Sequence, residues 1–300
     1  MSHQEPKPLH MTPAADTALP SQPALPTAGE RRHLRILSYN IQVGIASGRF
    51  HHYVTNSWKH LLPFPGRRGN LDAIARFIAD FDLVGLQELD AGSLRSEFVN
   101  QAEYLSRQSQ LPYWYSQTNR NFGKLAKHSL GLLSRFHPDH VMEHRLPGVI
   151  PGRGALEAHF GTGPQALVVM LVHLSLGRRA RDMQFGYISE VLSEHEHVIV
   201  MGDMNCGCHE EDIRHLLSRT RLQEPFCRSK TYPSWRPVHA FDHILVTPGI
   251  EVEKVHAFNL SYSDHLPVGM DVHLPPGVEL RHVGGALHDQ SLPFVGPLSA

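Results

Sequence analysis

The chain has 300 residues, 41% of them hydrophobic, which is enough to bury one substantial core. Its 28 Lys+Arg against 29 Asp+Glu leave a formal charge of -1, which argues against gripping long nucleic acid through charge alone. No run approaches the ~20 consecutive apolar residues of a membrane-spanning helix, so a transmembrane segment is not expected.

The first ~32 residues are rich in Pro, Ala and Ser and lack the apolar segment of a secretory leader, so they read as a disordered tail and the default compartment is the cytoplasm. Leu34 to Tyr39 predicts a first strand. Ile41 to about Arg68, with Trp58 and Pro63-Phe64-Pro65-Gly66, reads as a long irregular insertion of the kind that lines a substrate entrance. Asn70 can cap a helix whose Leu71, Ile74, Phe77 and Ile78 recur at helical spacing. Leu83 to Gln87 is a strand, and Asn100 to Gln110 a helix. Ser129 to Ser134 and Ala155 to Phe160 are strands on either side of a Gly/Pro-rich turn at Leu146 to Gly154. Ala166 to Leu174 is a β-branched apolar run, followed by a helix from about Arg179 to Ser193 and a core strand at Val198 to Met201. Glu210 to Ser218 predicts a helix with acidic residues in its first turn, where the dipole favours them. Phe241 to Val246, Glu251 to Ala257 and Leu266 to His273 complete the strands. Residues 276–300 read as a second loose tail, leaving one domain over 33–275.

Helices follow strands in each half, but hairpin-like pairs also occur, which disfavours a purely parallel sheet. The pattern fits an α/β (α+β) chain with two mixed β-sheets packed face to face and helices outside. Cys206, Cys208 and Cys227 are too few and too oddly spaced for a disulfide framework or the usual zinc motif. They read as buried or idle thiols of a reducing compartment. Histidine is over-represented at 23 residues, yet most, such as His51-His52, His195 and His197, show no spaced partner for a metal.

Six short motifs carry oxygens or imidazoles at apparent strand ends: Ser38-Tyr39-Asn40-Ile41-Gln42, Gln87-Glu88, His173-Leu174-Ser175, Gly202-Asp203-Met204-Asn205, Asp242-His243 and Ser263-Asp264-His265. Five of them follow apolar runs such as Leu83-Val84-Gly85-Leu86. One such case means little, but this many imply a single polar site assembled from distant strands. Asp203 and Asn205 are two apart and, on an extended backbone, project to the same side. A bland reading, an Asx-bonded Gly-Asp turn, explains Asp203 but says nothing of Asn205.

These motifs, in this order, resemble the endonuclease/exonuclease/phosphatase superfamily with its deoxyribonuclease-I-like fold, over about residues 34 to 273. The resemblance implies a four-layer sandwich with its site at one end of the two sheets. It also implies hydrolysis of phosphoester bonds, foremost phosphodiesters, by in-line attack of water with Mg²⁺ or Mn²⁺ as cofactor. Asn40, Glu88 and Asp264 are the metal-binding residues it implies. Asp203 would activate the water, Asn205 and His173 would contact phosphate, and His265, oriented by Asp242, would donate to the transition state. His243 reads as packing. These types suit phosphoester hydrolysis, which needs an activated water, a cation on the phosphoryl oxygens and donors for developing charge.

Two departures stand out. Asp90 takes the place of an arginine that the family often carries two residues after its metal-binding Glu, which makes Arg95 a substitute candidate. The family's phosphate-proximal tyrosine has only Tyr113, Tyr115 and the Arg120 region as candidates. The expected partner is a phosphoester, whether a small diester, a lipid head group or a nucleic acid, and no obligate protein partner is implied. Trp235 is a candidate specificity wall. A nuclease of the same family and a binding protein of this fold without turnover are the alternatives. The complete donor set speaks against the second.

Overall fold

A computed structural model describes residues 32–45, 66–148, 151–225, 229–260 and 262–282. The terminal tail over 1–31, most of the expected insertion, Cys227 and the end of the chain lie outside the described residues. Two sheets form the centre. One has six strands in the order β10-β11-β1-β2-β4-β3, the other five in the order β5-β6-β7-β8-β9. The strands are β1 (His33–Asn40), β2 (Leu83–Asp90), β3 (Tyr113–Asn121), β4 (Lys127–Ser134), β5 (His140–Arg145), β6 (Gly154–Phe160), β7 (Leu167–His173), β8 (His197–Asp203), β9 (Asp242–Val246), β10 (Glu251–Ala257) and β11 (Val268–His273). Both sheets are mixed: β1–β2 and β7–β8 are parallel and the remaining named pairs antiparallel.

Among the described residues, four α-helices cover the outer faces: α1 (Gly66–Ile78), α2 (Gln101–Ser109), α3 (Arg178–Leu192) and α4 (Glu211–Arg219). Side-chain alternation along the strands sorts the apolar residues into three cores. Ile36, Leu132, Leu156, Leu171, Met201 and Met270 fill the space between the sheets. Val168, Met170 and Val200 meet Phe185 and Ile188 of α3 and Ile213 of α4. Leu37, Tyr39 and Val84 meet Ile74 and Ile78 of α1 and Leu105 of α2. The result is the expected helix–sheet–sheet–helix sandwich.

Local chemistry sets several boundaries. Asn100 caps α2 by accepting from the N–H groups of Ala102 and Glu103. Asn70 does not cap α1, which already begins at Gly66; its side-chain amide donates instead to the Tyr262 carbonyl at 2.8 Å. Two strands have no counterpart in the expected elements, β3 and β5, and each is the edge of its sheet. The segment after Pro275 is not a loose tail throughout. Val278 and Leu280 are buried in the inter-sheet core, and Arg281 forms a bridge with His137.

The cysteines depart from expectation. Cys208 is disulfide-bonded, while Cys206 is a buried free thiol that burial pushes to a very high pKa. Disulfides persist in oxidising surroundings, so the cysteine pattern no longer argues for a reducing compartment. No helix among the described residues is long and apolar enough to cross a membrane.

Candidate active site

Strand register gathers the motifs. In the five-stranded sheet, His173 pairs with Asp203 across β7–β8, and Asp203 with Asp242 across β8–β9, so three strand ends place imidazole and carboxylates in one row. In the other sheet, Asn40 pairs with Gln87 at the parallel ends of β1 and β2. The loop holding Ser263, Asp264 and His265 closes over both. The Ser263 hydroxyl donates to the Asn40 carbonyl at 2.7 Å, and Ser234 donates to the Ser263 carbonyl at 2.7 Å.

Glycine makes the Asp203 corner possible. Gly202 has φ +145°, and a Cβ there would stand 2.0 Å from the Val172 carbonyl oxygen. Only glycine lets β7 and β8 pair so closely while the chain turns to present Asp203. On β2 a register shift between Leu86 and Leu89 and a left-handed Glu88 (φ 55°) redirect the Glu88 side chain.

The side chains then meet. Asn40 Nδ2 donates to Asp203 Oδ2 at 3.2 Å, and the Asn205 N–H donates to Asp203 Oδ1 at 3.0 Å. His173 Nε2 stands 3.5 Å from Asp203 Oδ2 and 4.0 Å from Glu88 Oε1. His265 places Nδ1 2.8 Å from Asp242 Oδ2 and Nε2 3.8 Å from Asp203 Oδ2. Tyr232 packs a tilted ring on the His265 imidazole, with centroids 4.8 Å apart. Asn205 is the exception, because its Nδ2 already donates to the Leu174 carbonyl at 3.0 Å. His243 is held between Glu224 and the Cys206 carbonyl, a packing position.

Burial and charge set the protonation states. Burial raises the Asp203 carboxyl to about 6, a rise that the His265 charge opposes and Asp242 reinforces. Burial likewise lifts Asp264 to about 7, with Glu88 adding like-charge repulsion. For His265 burial works downward, but Asp242 and Asp203 overcome it and hold the imidazole well above its ordinary value. His173 goes the other way, pushed well below by burial and then by Arg153 and His265. One imidazole is therefore charged and the other neutral within the same site.

The site opens into a cleft of about 130 Å³ lined by Glu88, Asn119, Arg120, His128, Ser129, Gly152, Arg153 and His173. Gly152 has φ +101°, and a Cβ there would lie 2.3 Å from Arg120 Cγ, so the glycine makes room for that arginine.

The sequence from 37 to 265 matches the description of the Endonuclease/Exonuclease/phosphatase family. The chain belongs to this family. Its members are hydrolases acting on phosphoester bonds. No curated protein is significantly similar in sequence. Among solved structures, a Bacteroides thetaiotaomicron endonuclease/exonuclease/phosphatase family protein is 17% identical, with a TM-score of 0.63 over 82% of this chain and 99% of its own. A mannosyl-6-phosphatase from the same organism is 17% identical, with a TM-score of 0.61 over 80% of this chain and 99% of its own. The human Nocturnin catalytic domain is 18% identical, with a TM-score of 0.59 over 83% of this chain and 99% of its own. At these identities the likeness is one of fold.

Within this endonuclease/exonuclease/phosphatase chain, Arg95 does not reach the cleft. It is buried in an ion pair with Asp90, braced by Ser93 and Ser96, and its Nη1 faces His128 Nε2 at 3.2 Å. Tyr113 and Tyr115 begin β3, beside Ser134 and Leu132, at the end of the sandwich away from the site. The cleft cations are instead Arg120, near the end of β3, and Arg153, which senses the charges of Asp203 and Glu88. Sequence reading missed Arg153 and His128. The available signal was an arginine between two glycines, Gly152 and Gly154, directly before a strand.

The donor set fits a divalent cation. Four buried or half-buried carboxylates (Glu88, Asp203, Asp242 and Asp264) gather there, and burial raises two of them, Asp203 and Asp264, a penalty that a bound cation would offset. Asp203, Asp242 and His265 each bring a donor atom within 4.8 Å of the others, but Asp242 and His265 already bind one another. That leaves Glu88, Asp264 and Asn40 as the oxygen-bearing groups outside the Asp242–His265 pair, a set that suits a hard ion; Asn40 Oδ1 accepts from the Gln42 N–H at 3.1 Å and Asp264 Oδ1 from the Ser263 hydroxyl at 3.2 Å.

Proposed function

We propose that the protein is a Mg²⁺- or Mn²⁺-dependent phosphohydrolase that cleaves phosphodiester bonds of small phosphoesters by in-line attack of water. The observation that supports it most is the meeting of Asp203, His265 and His173 around one Asp203 oxygen, at 3.8 and 3.5 Å, beside Glu88.

Glu88, Asp264 and Asn40 would hold the cation. When bound, it neutralises phosphoryl charge and polarises the ester. Asp203, with a carboxyl near 6, is poised to accept the proton of the attacking water at neutral pH. The Asn40 side-chain amide and the Asn205 backbone N–H fix that carboxylate from two sides. Charged His265, anchored through Nδ1 to Asp242, presents Nε2–H to the phosphoryl oxygen as negative charge develops. Neutral His173 offers a second donor, and Asn205 a third through its remaining amide hydrogen. Arg120 and Arg153 bind the ester's outer oxygens at the cleft mouth. The near-zero net charge favours a small ester over duplex nucleic acid.

The test compares rates on bis(p-nitrophenyl) phosphate, p-nitrophenyl phosphate, a sugar phosphate, sphingomyelin, single-stranded oligonucleotide and plasmid DNA, each with Mg²⁺, Mn²⁺ or chelator. Metal-supported turnover fastest on small diesters is expected. A preference for polynucleotides would make the protein a nuclease. Absence of turnover on every substrate would leave a binding protein and overturn the reading.

A further inference from the structure

The histidine excess leads to a second place in the fold. On β6, Leu156, Ala158 and Phe160 point into the inter-sheet core, so Glu157 and His159 point to the outer face under α3. There the Glu157 carboxylate is fully buried, and its only ion-pair partners among the described residues are imidazoles. His159 contacts Oε1, His195 Nε2 stands 3.9 Å from the same oxygen, and His144 Nε2 stands 2.7 Å from Oε2. The His159 and His195 rings meet edge to face with centroids 5.1 Å apart. Two β6 side chains and the turn following α3 thus converge on one carboxylate oxygen.

This cluster is separate from the catalytic centre. His159 pairs with Val168 near the start of β7, whereas His173 ends that strand. Five residues of strand put the two about 16 Å apart along the sheet, and the cluster faces helices rather than the cleft.

We propose that Glu157, His159 and His195 form a second metal site, for a divalent transition cation of the zinc type. One donor atom from each lies within 4.8 Å of the others. Tetrahedral zinc, with bonds of about 2.0–2.1 Å to nitrogen and oxygen, sets donor atoms roughly 3.3 Å apart. His195 therefore moves inward by well under the length of its side chain, and the His159–Glu157 contact opens to admit the ion. His195 is suited to that movement, since its side chain is about a quarter exposed on a turn. Water takes the fourth position.

The surrounding residues already orient the donors. His144 holds the other carboxylate oxygen, and Tyr187 of α3 fixes His144 through Nδ1 at 2.9 Å. Such outer partners set ring and carboxylate orientation around bound metals. Two imidazoles and one carboxylate select a zinc-type ion over Mg²⁺, which takes oxygen donors. The ion would tie β6 to the segment joining α3 to β8. Because it binds the folded chain, it would raise the unfolding temperature with the logarithm of its concentration once that exceeds the dissociation constant.

The experiment titrates the chelator-stripped full-length protein with Zn²⁺ and with Co²⁺, recording calorimetric stoichiometry, visible Co²⁺ absorption and thermal midpoint. Wild type, His195→Gln and Glu88→Gln are compared. Wild type and Glu88→Gln are expected to share a nitrogen-rich Co²⁺ spectrum and a Zn²⁺-raised midpoint. His195→Gln should lose both, with affinity at this site falling at least about 10–100-fold and Mg²⁺-supported turnover unchanged. His195 lies on a turn, so this variant is expected to fold, and an unshifted metal-free midpoint checks that. Equal Zn²⁺ affinity and identical Co²⁺ spectra in wild type and His195→Gln would overturn the proposal. So would loss of the spectrum in Glu88→Gln alone. Neither overturning result depends on the catalytic reading, since both are read from metal affinity and the Co²⁺ spectrum rather than from turnover.

Discussion

Asp203 ends a strand of the five-stranded sheet and His265 sits on the loop that enters the six-stranded sheet, yet Oδ2 and Nε2 stand 3.8 Å apart. The two groups approach across the mouth of the sandwich, with no regular element shared between them. Their protonation tendencies diverge in a useful direction. The carboxyl titrates near 6 and is available as a base at neutral pH, while the imidazole stays charged and can donate. Asp203→Asn and His265→Ala should each lower kcat by about 10²–10⁴-fold with unchanged circular dichroism, and the unfolding midpoint of His265→Ala should also fall, because Asp242 loses its buried partner. Near-normal rates in either variant would remove it from the mechanism.

Asp242 acts through His265 by holding Nδ1 at 2.8 Å. Replacing the carboxylate with an amide keeps the shape but removes the charge that holds the imidazole proton. Asp242→Asn should lower kcat by about 100-fold or more, and it should also move the alkaline limb of the pH–rate profile to lower pH. That displacement follows from the sign of the effect: without the carboxylate the imidazole pKa drops, so the charged donor is lost earlier as pH rises. A lower rate with an unmoved profile would indicate a structural role only.

The strand ends were legible because their cause is local. Val198 to Met201 and Leu83 to Leu86 are buried on both faces, and a polar residue directly after such a run has only the sheet end in which to sit. Glu88, Asp203 and His173 could be placed by that rule. β3 and β5 escaped it for the opposite reason. As edge strands they mix polar and apolar residues, as in Tyr113-Trp114-Tyr115-Ser116-Gln117 and Val141-Met142-Glu143-His144, and show no buried run. Missing β3 hid the position of Arg120, and missing β5 hid His144. Arg153 and the grouping of His195 with Glu157 depend on contacts between segments distant in sequence, which no single window contains.

Arg120 and Arg153 flank the cleft beside Glu88 and His173, where an ester's outer oxygens would lie. Charge-assisted contacts of this kind contribute about 1.5–3 kcal/mol each. Arg120→Ala and Arg153→Ala should therefore raise KM for a diester by roughly 10–100-fold with a smaller effect on kcat. Arg95→Ala should behave differently, because removing the buried partner of Asp90 leaves an uncompensated charge. Its unfolding midpoint should fall steeply. Steady-state kinetics and urea denaturation of the three variants separate the roles, and an unchanged KM for both cleft arginines would refute their assignment.

Gly202 tests the corner that presents Asp203. Any side chain there meets the Val172 carbonyl oxygen at 2.0 Å and must also adopt φ +145°. Gly202→Ala should destabilise the fold by at least about 2 kcal/mol and depress turnover through displacement of Asp203. Gly186→Ala, inside α3 where an added Cβ meets nothing within 4 Å, is the control and should be at least as stable as wild type. Equal urea midpoints for the two variants would show that β7 and β8 tolerate wider spacing than their register implies.

His128, which lines the cleft beside Glu88, offers a pH test read from stability rather than from turnover. Burial first, and then the Arg95 guanidinium 3.2 Å from Nε2, push its imidazole down to about 4. In the unfolded chain it titrates near ~6.5. Between those values the unfolded state binds the proton and the folded state does not, so acidification through that window favours unfolding. Stability should therefore decline as pH falls from about 6.5 toward 4, with no further loss from this group below the lower value. His128→Gln removes the titrating group and should flatten that part of the stability curve. In wild type, the His128 ring proton resonances should show no midpoint above pH ~5. A midpoint near that of free histidine would show that the ring is neither buried nor faced by Arg95 as described.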